Sequence, residues 1–514
     1  MITMKILLAF KMIAVITALF VTSPTALGQN FSGNLSGEFV VNDDIVTQDH
    51  ATAAMFADGS FAITWHSWHE ESTGLQAKVY CARYDAKGCP IGDIFMVNEN
   101  ITNYNSQTPD IATYKTASDG RFAVTWSHGL EDWPPPDFGP NPDAGSMNPS
   151  GSDRSPFHDC AAAQPNSQGS SDFGEHYTYV GLYLNYQRAP EFPKRVSRNE
   201  SDTMTWPDAA MFDDGGFIVV WGERIGDLQD FYAMLFNPSG EEVYDEPFKL
   251  NVKTSDLTGL SDSGTGLPDV ECNDKGQVIV VWEQRNDDTG DFEIYHRYFY
   301  TQDPHQNTLS YGRIKEPVAG INQRRPVVDL NDDEQIVVTW SDKTLSSRSG
   351  IQRQTNHVSI LRGRLEQGTS PYIEWFDTIC PHTGMNGIMD HRSTVRFIDH
   401  RYFIVGWTHQ WDEGECKGDD VYVRIYRFDE NLGKPNKIGP PICVHNNPLS
   451  RIRNQRRPAL DLVFSRYDLQ IVVTWEDDKN SGIAGEGDWD FDIYGRCYFA
   501  QSLIDSYSNK PALP

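Results

Sequence analysis

Hydrophobic and polar residues follow one recurring pattern along most of the chain. A proline or a small residue comes first, followed by a short apolar run, a polar turn often containing Asp and Gly, and a β-branched or aromatic run that ends in tryptophan. The seven copies end at Trp65, Trp126, Trp221, Trp282, Trp340, Trp407 and Trp475. Each copy predicts a β-hairpin, because strand-forming residues flank a turn that needs glycine or aspartate.

Two further strands are predicted after most of the tryptophans. A polar loop leads to a third apolar segment such as "FYAMLFN", and a turn then leads to a fourth such as "PFKLNV". A repeat of about 60 to 70 residues with four strands is typical of a propeller blade. The sequence therefore predicts an all-β, seven-bladed β-propeller of four-stranded antiparallel blades, with the repeated tryptophans packed between blades.

The two ends of the pattern predict how the ring closes. The last copy stops after its third strand, at residues 492–501, and residues 38–43 ("EFVVND") resemble the fourth strands elsewhere. The N-terminal strand is expected to complete the last blade, which would leave neither end of the chain as an unpaired sheet edge.

Composition and charge narrow the classes of function. The 514 residues are 39% hydrophobic, enough for a large core, and the net charge is −29. Such an acidic surface repels nucleic acid and anionic membranes. Residues 1–28 combine lysines, an apolar run and small residues, which is typical of a signal peptide. Residues 29–514 are then predicted to form one secreted, periplasmic or cell-surface domain that is not inserted in a membrane.

Export would permit disulfide bonds, and the chain has eight cysteines. Cys81 and Cys89 flank a short turn and could close one hairpin, while the pairing of the others stays open. The chain has no C-x-x-C pair, so a cysteine zinc site is not expected.

The repeated phrase, close to P-x-x-A-x-x-x-D-G-G-F-x-V-x-W, resembles repeats in large secreted bacterial proteins associated with adhesins and haemolysin-type calcium-binding segments. The resemblance covers nearly the whole mature chain and implies a scaffold whose role is poorly defined. The phrase differs from the sialidase Asp-box, because Asp214 and Trp221 lie seven residues apart instead of five. The glycine-rich calcium nonapeptides are missing, so the resemblance does not imply calcium binding.

Function is expected on the face formed by the connections between second and third strands and between successive blades, because these loops are long and varied. The longest is an insertion at about 127–175, rich in Pro, Gly, Ser and Asp. It is interpreted as a flap over the axial mouth, with Trp133 and His158 as candidate ligand contacts, or as a flexible insertion that binds nothing. Trp411, in another of these connections, is a candidate platform for sugar stacking.

Two copies of "NQRRP" stand out in the acidic chain. Both precede a predicted innermost strand. The segment "DHRSTV" occupies the equivalent position of the repeat in the blade between them. The candidate ligand-binding arginines are Arg324, Arg325, Arg392, Arg456 and Arg457. Arginine suits bidentate binding of carboxylate, sulfate or phosphate. In the alternative interpretation, these arginines neutralise acidic neighbours such as Asp329 and Asp461.

A carboxylate cluster is a candidate metal site. Asp488, Asp490 and Asp492 alternate at strand spacing and could bind Ca²⁺ through oxygen atoms, or could simply form a solvated strand entrance. No other cofactor is indicated.

Two functions agree with these features. The first is a non-catalytic secreted binding or scaffold protein that recognises a glycan or another extracellular partner. It is favoured because none of the recurring motifs is a catalytic one. The alternative is a glycoside hydrolase or lyase for an acidic polysaccharide. In that case the arginines would hold the acidic sugar and His391 would move protons.

Overall fold

The structure is a computed structural model that describes the chain between residues 38 and 499. The intervals outside the description are 43–46, 72–73, 100, 102–104, 115–118, 130–175, 202–204, 253–254, 257–266, 287–288, 303, 305–307, 315–319, 346–351, 363–372, 379–392, 412–417, 430–433, 445–454, 465–468 and 478–490. The predicted signal peptide and most of the predicted flap therefore lie outside the described residues. Within the described ranges, no helix is long and apolar enough to span a membrane.

The described residues form seven antiparallel sheets, each with a four-stranded path. The innermost strands are β2 (Gln48–Met55), β6 (Asn105–Ala112), β11 (Asp208–Met211), β16 (Asp269–Cys272), β20 (Ile321–Leu330), β24 (Ser393–Phe397) and β28 (Gln455–Phe464). The second strands are β3 (Phe61–Glu71), β7 (Phe122–Gly129), β12 (Phe217–Ile225), β17 (Gln277–Arg285), β21 (Gln335–Leu345), β25 (Tyr402–Trp411) and β29 (Leu469–Asp477).

The third and fourth strands continue each sheet outward. The third strands are β4 (Gly74–Tyr84), β8 (His176–Leu184), β13 (Leu228–Phe236), β18 (Phe292–Tyr300), β22 (Gln352–Arg362), β26 (Gly418–Asp429) and β30 (Asp492–Phe499). The fourth strands are β5 (Phe95–Met96), β10 (Lys194–Arg195), β14 (Phe248–Lys249), β19 (Thr308–Arg313), β23 (Ile373–Thr378), β27 (Lys434–Cys443) and β1 (Phe39–Asn42). Two short strands, β9 (Gln187–Arg188) and β15 (Ser255–Asp256), pair with β8 and β13.

The innermost strands form a ring. Each contacts the innermost strand of the next sheet, in the order β2, β6, β11, β16, β20, β24, β28 and back to β2. The sheets are numbered here as blades 1 to 7 in that order. The predicted all-β architecture of antiparallel, four-stranded blades in a propeller ring is confirmed.

The N-terminal strand completes the last blade, as the sequence predicted. β1 pairs with β30, and Phe39 lies opposite Gly495. A Cβ atom at Gly495 would come within 2.6 Å of the Phe39 ring, so this position needs glycine. Val41 is buried, and its carbonyl oxygen accepts a hydrogen bond of 3.2 Å from the Tyr84 hydroxyl in blade 1. The closure strand thus joins the first and last blades.

The repeated tryptophans form the core between blades, as predicted. All seven are buried, with at most 3% of their surface exposed. In six blades the indole stacks on a tyrosine of the third strand, at centroid distances of 6.0 to 6.5 Å. The predicted Asp-Gly turns are also confirmed, because Gly59, Gly120 and Gly215 have φ values of +85°, +63° and +85°.

The predicted Cys81–Cys89 bridge is wrong. Both residues are free thiols. Cys81 lies on β4 inside the core, and Cys89 lies in an exposed turn. Cys272, Cys443 and Cys497 are also thiols rather than members of a disulfide, and the other cysteines lie outside the described residues.

Candidate functional site

A bulge interrupts the innermost strand at the same level in several blades. Pairing with the second strand shifts register there in blades 1, 2, 5 and 7. The residues His50, Thr108, Trp206, Arg325 and Arg457 have φ values of +56°, +51°, +45°, +55° and +51°. Non-glycine residues in this conformation are strained by about 1–3 kcal/mol, and such strain persists only where surrounding contacts impose it. These five residues are called the axial mouth below.

All seven blades line one cavity on the propeller axis. Its volume is about 200 Å³, and its wall contains the whole axial mouth. Four of the mouth residues lie in the first half of an innermost strand, and Trp206 lies just before β11, so all five are on the side of the second-to-third-strand connections. This is the face on which function was expected from the sequence. Arg325 is half-buried, and the other four are buried.

Below the mouth, a carboxylate from one blade binds the backbone of the next blade at five junctions. The axial carboxylates are Asp110, Asp208, Asp269, Asp329 and Asp461. They accept hydrogen bonds from the N–H groups of Ala209, Val270, Val328, Phe397 and Met55, respectively. The distances are 3.2 Å for Asp110, 2.6 Å for Asp208, and 2.7 Å for Asp269 and Asp461. These bonds hold neighbouring blades at the axis.

Three of these carboxylates resist ionisation. Burial raises the pKa of Asp110, and burial together with the nearby Asp110 and Asp269 raises the pKa of Asp208 well above its usual value. Asp110 and Asp208 also share a hydrogen bond, which requires a proton on one of them. Burial raises the pKa of Asp269 to about 8, although the Val328 N–H and Arg396 favour its charged form.

The raised pKa of Asp269 predicts a pH-dependent stability. Because the folded chain keeps this proton up to about pH 8 and the unfolded chain loses it near pH 4, the free energy of unfolding contributed by Asp269 falls as the pH rises between these values. Asp269→Asn cannot titrate and keeps an oxygen for the Val328 N–H. From about pH 5 to about pH 8, the variant should therefore gain about 1–4 kcal/mol relative to the wild type in urea unfolding. Parallel pH curves for the two proteins would contradict the assigned protonation.

One arginine, Arg396, supplies a positive charge next to the axial carboxylates. The Arg396 guanidinium lies 3.7 Å from Asp461 and 3.9 Å from Glu271. Burial lowers its pKa, but Glu271 and the carboxylates of Asp329, Asp461 and Asp269 outweigh that effect and raise it. Arg396 was not among the arginines that the sequence indicated.

The first arginine of each "NQRRP" copy is held in a buried ion pair. The Nε of Arg324 lies 2.8 Å from Glu283, and the Nε of Arg456 lies 2.7 Å from Glu476. Both glutamates are fully buried. Each guanidinium also stacks on a phenylalanine ring, 4.5 Å from Phe292 for Arg324 and 3.9 Å from Phe491 for Arg456. These contacts give both residues a structural role.

The second arginine of each copy belongs to the axial mouth. The Arg325 N–H donates a short hydrogen bond to Glu283. The Arg457 Nη1 donates to Asp49 and, at 3.2 Å, to Glu476. The acidic side chains that contact the doubled arginines thus include Glu283, Glu476 and Asp49. Asp329 and Asp461, the acidic neighbours named from the sequence, bind backbone N–H groups of the next blade.

Glu476 is the centre of a buried polar cluster between blades 7 and 1. Besides Arg456 and Arg457, it accepts the His50 N–H at 2.9 Å. Burial favours its neutral form, but Arg457, Arg456 and His50 lower its pKa to about 2. His50 stacks on His66, with ring centroids 5.3 Å apart, and its Nδ1 lies 3.2 Å from Asp49. Burial and His50 lower the pKa of His66 well below its usual value, so the His66 ring is neutral.

The structure brings some of the predicted site residues together. Arg325 and Arg457 line the same cavity, and Arg324 and Arg456 lie beside them in β20 and β28. Trp411 is the last residue of β25 rather than a loop residue, and Asp492 is buried at the start of β30. Trp133, His158, His391, Arg392, Asp488 and Asp490 lie outside the described residues.

Several residues of the site were missed, although the sequence carried a signal for some of them. A proline is followed directly by aspartate in three successive blades, at Asp110, Asp208 and Asp269. Glutamate follows the repeated tryptophan only at Glu283 and Glu476, near the doubled arginines. Asp49, His50 and His66 gave no such signal, because their common environment depends on the closed ring.

Comparisons with known proteins do not show a family for this chain. No family model matches the chain, and no curated protein matches it. Among solved structures, the chain is similar to a protein of unknown function from Dyadobacter fermentans, with 8% identity over 90% of this chain and 98% of the other and a TM-score of 0.45. It is also similar to a PL25 ulvan lyase, with 10% identity, coverage of 93% and 99%, and a TM-score of 0.43.

A third similar structure is the NanB sialidase of Streptococcus pneumoniae, with 9% identity, coverage of 90% and 70%, and a TM-score of 0.41. Identities of 8–10% and TM-scores below 0.5 show no function for the present chain.

Proposed function

We propose that this protein is exported and binds an acidic glycan at the axial mouth without transforming it. The observation that carries the proposal is that Arg325 and Arg457 lie on the wall of one cavity in an otherwise strongly acidic protein. A carboxylate or sulfate group on a sugar is the type of ligand that a guanidinium binds most selectively.

The two mouth arginines have different roles in this proposal. Arg457 is 7% exposed and lies against Asp49 and Glu476, so it shapes the wall and contributes little net positive charge. Arg325 is half-buried, and the bond from its backbone N–H to Glu283 fixes the start of its side chain at the mouth. Because Arg325 is the more exposed of the two, it is the residue proposed to contact the acidic group of the sugar.

Aromatic rings beside the arginines supply a second element of glycan recognition. Trp206 and His50 both line the cavity, with ring centroids 5.2 Å apart. The faces of such rings pack against the C–H groups of a sugar, while the neighbouring Thr108 hydroxyl is available for a hydrogen bond. The Thr108 oxygen is buried and has no hydrogen-bond partner among the described residues.

A lyase or hydrolase for an acidic polysaccharide is the second candidate. It is favoured by His50, which places a titratable ring in the same cavity as two arginines and could serve in proton transfer. The axial carboxylates are less suited to acid–base catalysis, because each already accepts a backbone hydrogen bond from the neighbouring blade.

Arg325→Ala tests the binding proposal. Loss of one charge-assisted contact, about 1.5–3 kcal/mol, should weaken binding of uronate-rich or sulfated oligosaccharides about 10- to 100-fold in calorimetry after a glycan-array screen. Arg401→Ala is the matched control, because Arg401 is an exposed arginine in the turn between β24 and β25, on the opposite face. The control should bind like the wild type.

Two results would count against the proposal. Equal binding by Arg325→Ala and the wild type would remove the axial mouth as the anion site. Shortened or unsaturated oligosaccharides after incubation with the wild type, absent with His50→Gln, would replace the binding function by the catalytic alternative.

A further inference from the structure

A second cluster of side chains lies beside the axial mouth and has the composition of a metal site. Asp49 and His50 are neighbours on β2, and His66 follows the core tryptophan Trp65 on the adjacent strand β3. One potential ligand atom of each residue lies within 4.8 Å of the other two, and all three residues are buried.

His66 gives an independent indication of a ligand at this cluster. Only 2% of its surface is exposed, and its Nδ1 has no hydrogen-bond partner among the described residues. The ring is held between His50, with centroids 5.3 Å apart, and Trp68, at 6.0 Å. Burying an imidazole nitrogen without a partner is unfavourable, and a bound cation would supply that partner.

The distance between two of the three ligands suits a tetrahedral ion. Metal–nitrogen and metal–oxygen bonds of about 2.0–2.1 Å place two tetrahedral ligands about 3.3 Å apart. The Asp49 Oδ1 and the His50 Nδ1 are 3.2 Å apart. The third ligand needs a small side-chain movement from its position within 4.8 Å.

The surrounding groups fit an outer shell for such an ion. Arg457 donates to Asp49, so this proposed ligand is held by a second group, and Glu476 accepts the backbone N–H of His50. The carboxylates of Asp49 and Glu476 are balanced by the guanidinium groups of Arg456 and Arg457, which contact them. A divalent ion would thus bring uncompensated positive charge to the cavity wall.

We propose that Asp49, His50 and His66 bind a divalent transition-metal ion, with Zn²⁺ the best match, and leave a fourth position open to the axial cavity. Two imidazoles and one carboxylate favour zinc over Ca²⁺ or Mg²⁺, which prefer oxygen ligands. His50 lines the cavity, which gives the fourth position access to it. Because the ion's charge is not balanced by its surroundings, that position takes an anion such as hydroxide or the carboxylate or sulfate of a ligand.

Metal titration of the full-length protein tests this assignment. Chelator-treated wild type should bind one Zn²⁺ per chain in calorimetry, and the bound ion should raise the melting temperature. His66→Gln and Asp49→Asn should each weaken zinc binding at least 100-fold. His400→Gln is the control, because His400 is exposed and lies outside the cluster. It should bind zinc like the wild type, and Ca²⁺ should not compete.

Co²⁺ provides a readout that does not depend on variants folding correctly. Wild type loaded with Co²⁺ should show the intense visible absorption of a tetrahedral site, displaced by Zn²⁺. Failure of the wild type to bind zinc stoichiometrically, equal zinc binding by a folded His66→Gln variant, or a weak octahedral Co²⁺ spectrum would each overturn the proposal. Arg325→Ala should leave zinc binding unchanged, which separates this test from that of glycan binding.

Discussion

Replacing Glu476 by alanine is expected to lower the free energy of unfolding by about 3–5 kcal/mol, because it leaves buried cationic groups without a counter-charge. Glu476 is fully buried and contacts the guanidinium groups of Arg456 at 2.7 Å and Arg457 at 3.2 Å. It also accepts the His50 N–H, which would lose that acceptor. Chemical and thermal unfolding followed by tryptophan fluorescence would measure the loss.

An exposed ion pair of similar length provides the control. Arg198 and Glu242 are 2.6 Å apart, and their side chains are 40% and 26% exposed. Glu242→Ala should cost less than about 1 kcal/mol, since solvent screens this pair. Glu476→Gln should fall between the two alanine variants, because it keeps a hydrogen-bond acceptor but not the charge. A loss in Glu476→Ala no greater than in Glu242→Ala would show that the buried network contributes little to stability.

Removing the closure strand is expected to have an effect of similar size. A chain that begins at Thr47 lacks β1, and with it the buried Val41 and the Phe39 ring, which lies 5.0 Å from the Tyr84 ring. Loss of these two apolar side chains should destabilise the protein by about 3–6 kcal/mol. The truncation also exposes β30 as a sheet edge, so self-association should increase.

A chain that begins at Glu38 is the matched control, because it keeps β1 and differs from the truncated chain only by residues 38–46. It should melt like the chain of residues 29–514 and remain monodisperse in size-exclusion chromatography. A peptide of residues 38–46 added to the shorter chain should restore part of the lost melting temperature. Identical melting of the two chains would mean that β1 does not close the ring.

The fold could be predicted from the sequence because its determinants are local and repeated. A tryptophan such as Trp221 comes at the end of an apolar run that follows an Asp-Gly turn, and these features lie within 15 residues of each other. The closure strand was predictable for the same reason, since residues 38–43 resemble the fourth strands of complete blades.

The candidate site was only partly predictable because its contacts join distant parts of the chain. The doubled arginines were visible in the sequence, but Arg457 contacts Asp49 408 residues away, and Glu476 binds the N–H of His50 426 residues away. These residues come into contact only when the first and last blades pack against each other. The positive φ of Arg325 was equally hidden, since it follows from a bulge held by Glu283 of the preceding blade.

The hydrogen bonds of the axial carboxylates place few demands on the sequence of the neighbouring blade. Each of these aspartates binds a backbone N–H of the next blade, so the bond itself requires no particular side chain at the recipient residue. A blade that keeps its own aspartate can therefore make the same axial bond to a neighbour of different sequence. The apolar packing between blades restricts the recipient side chains, whereas the axial bond does not.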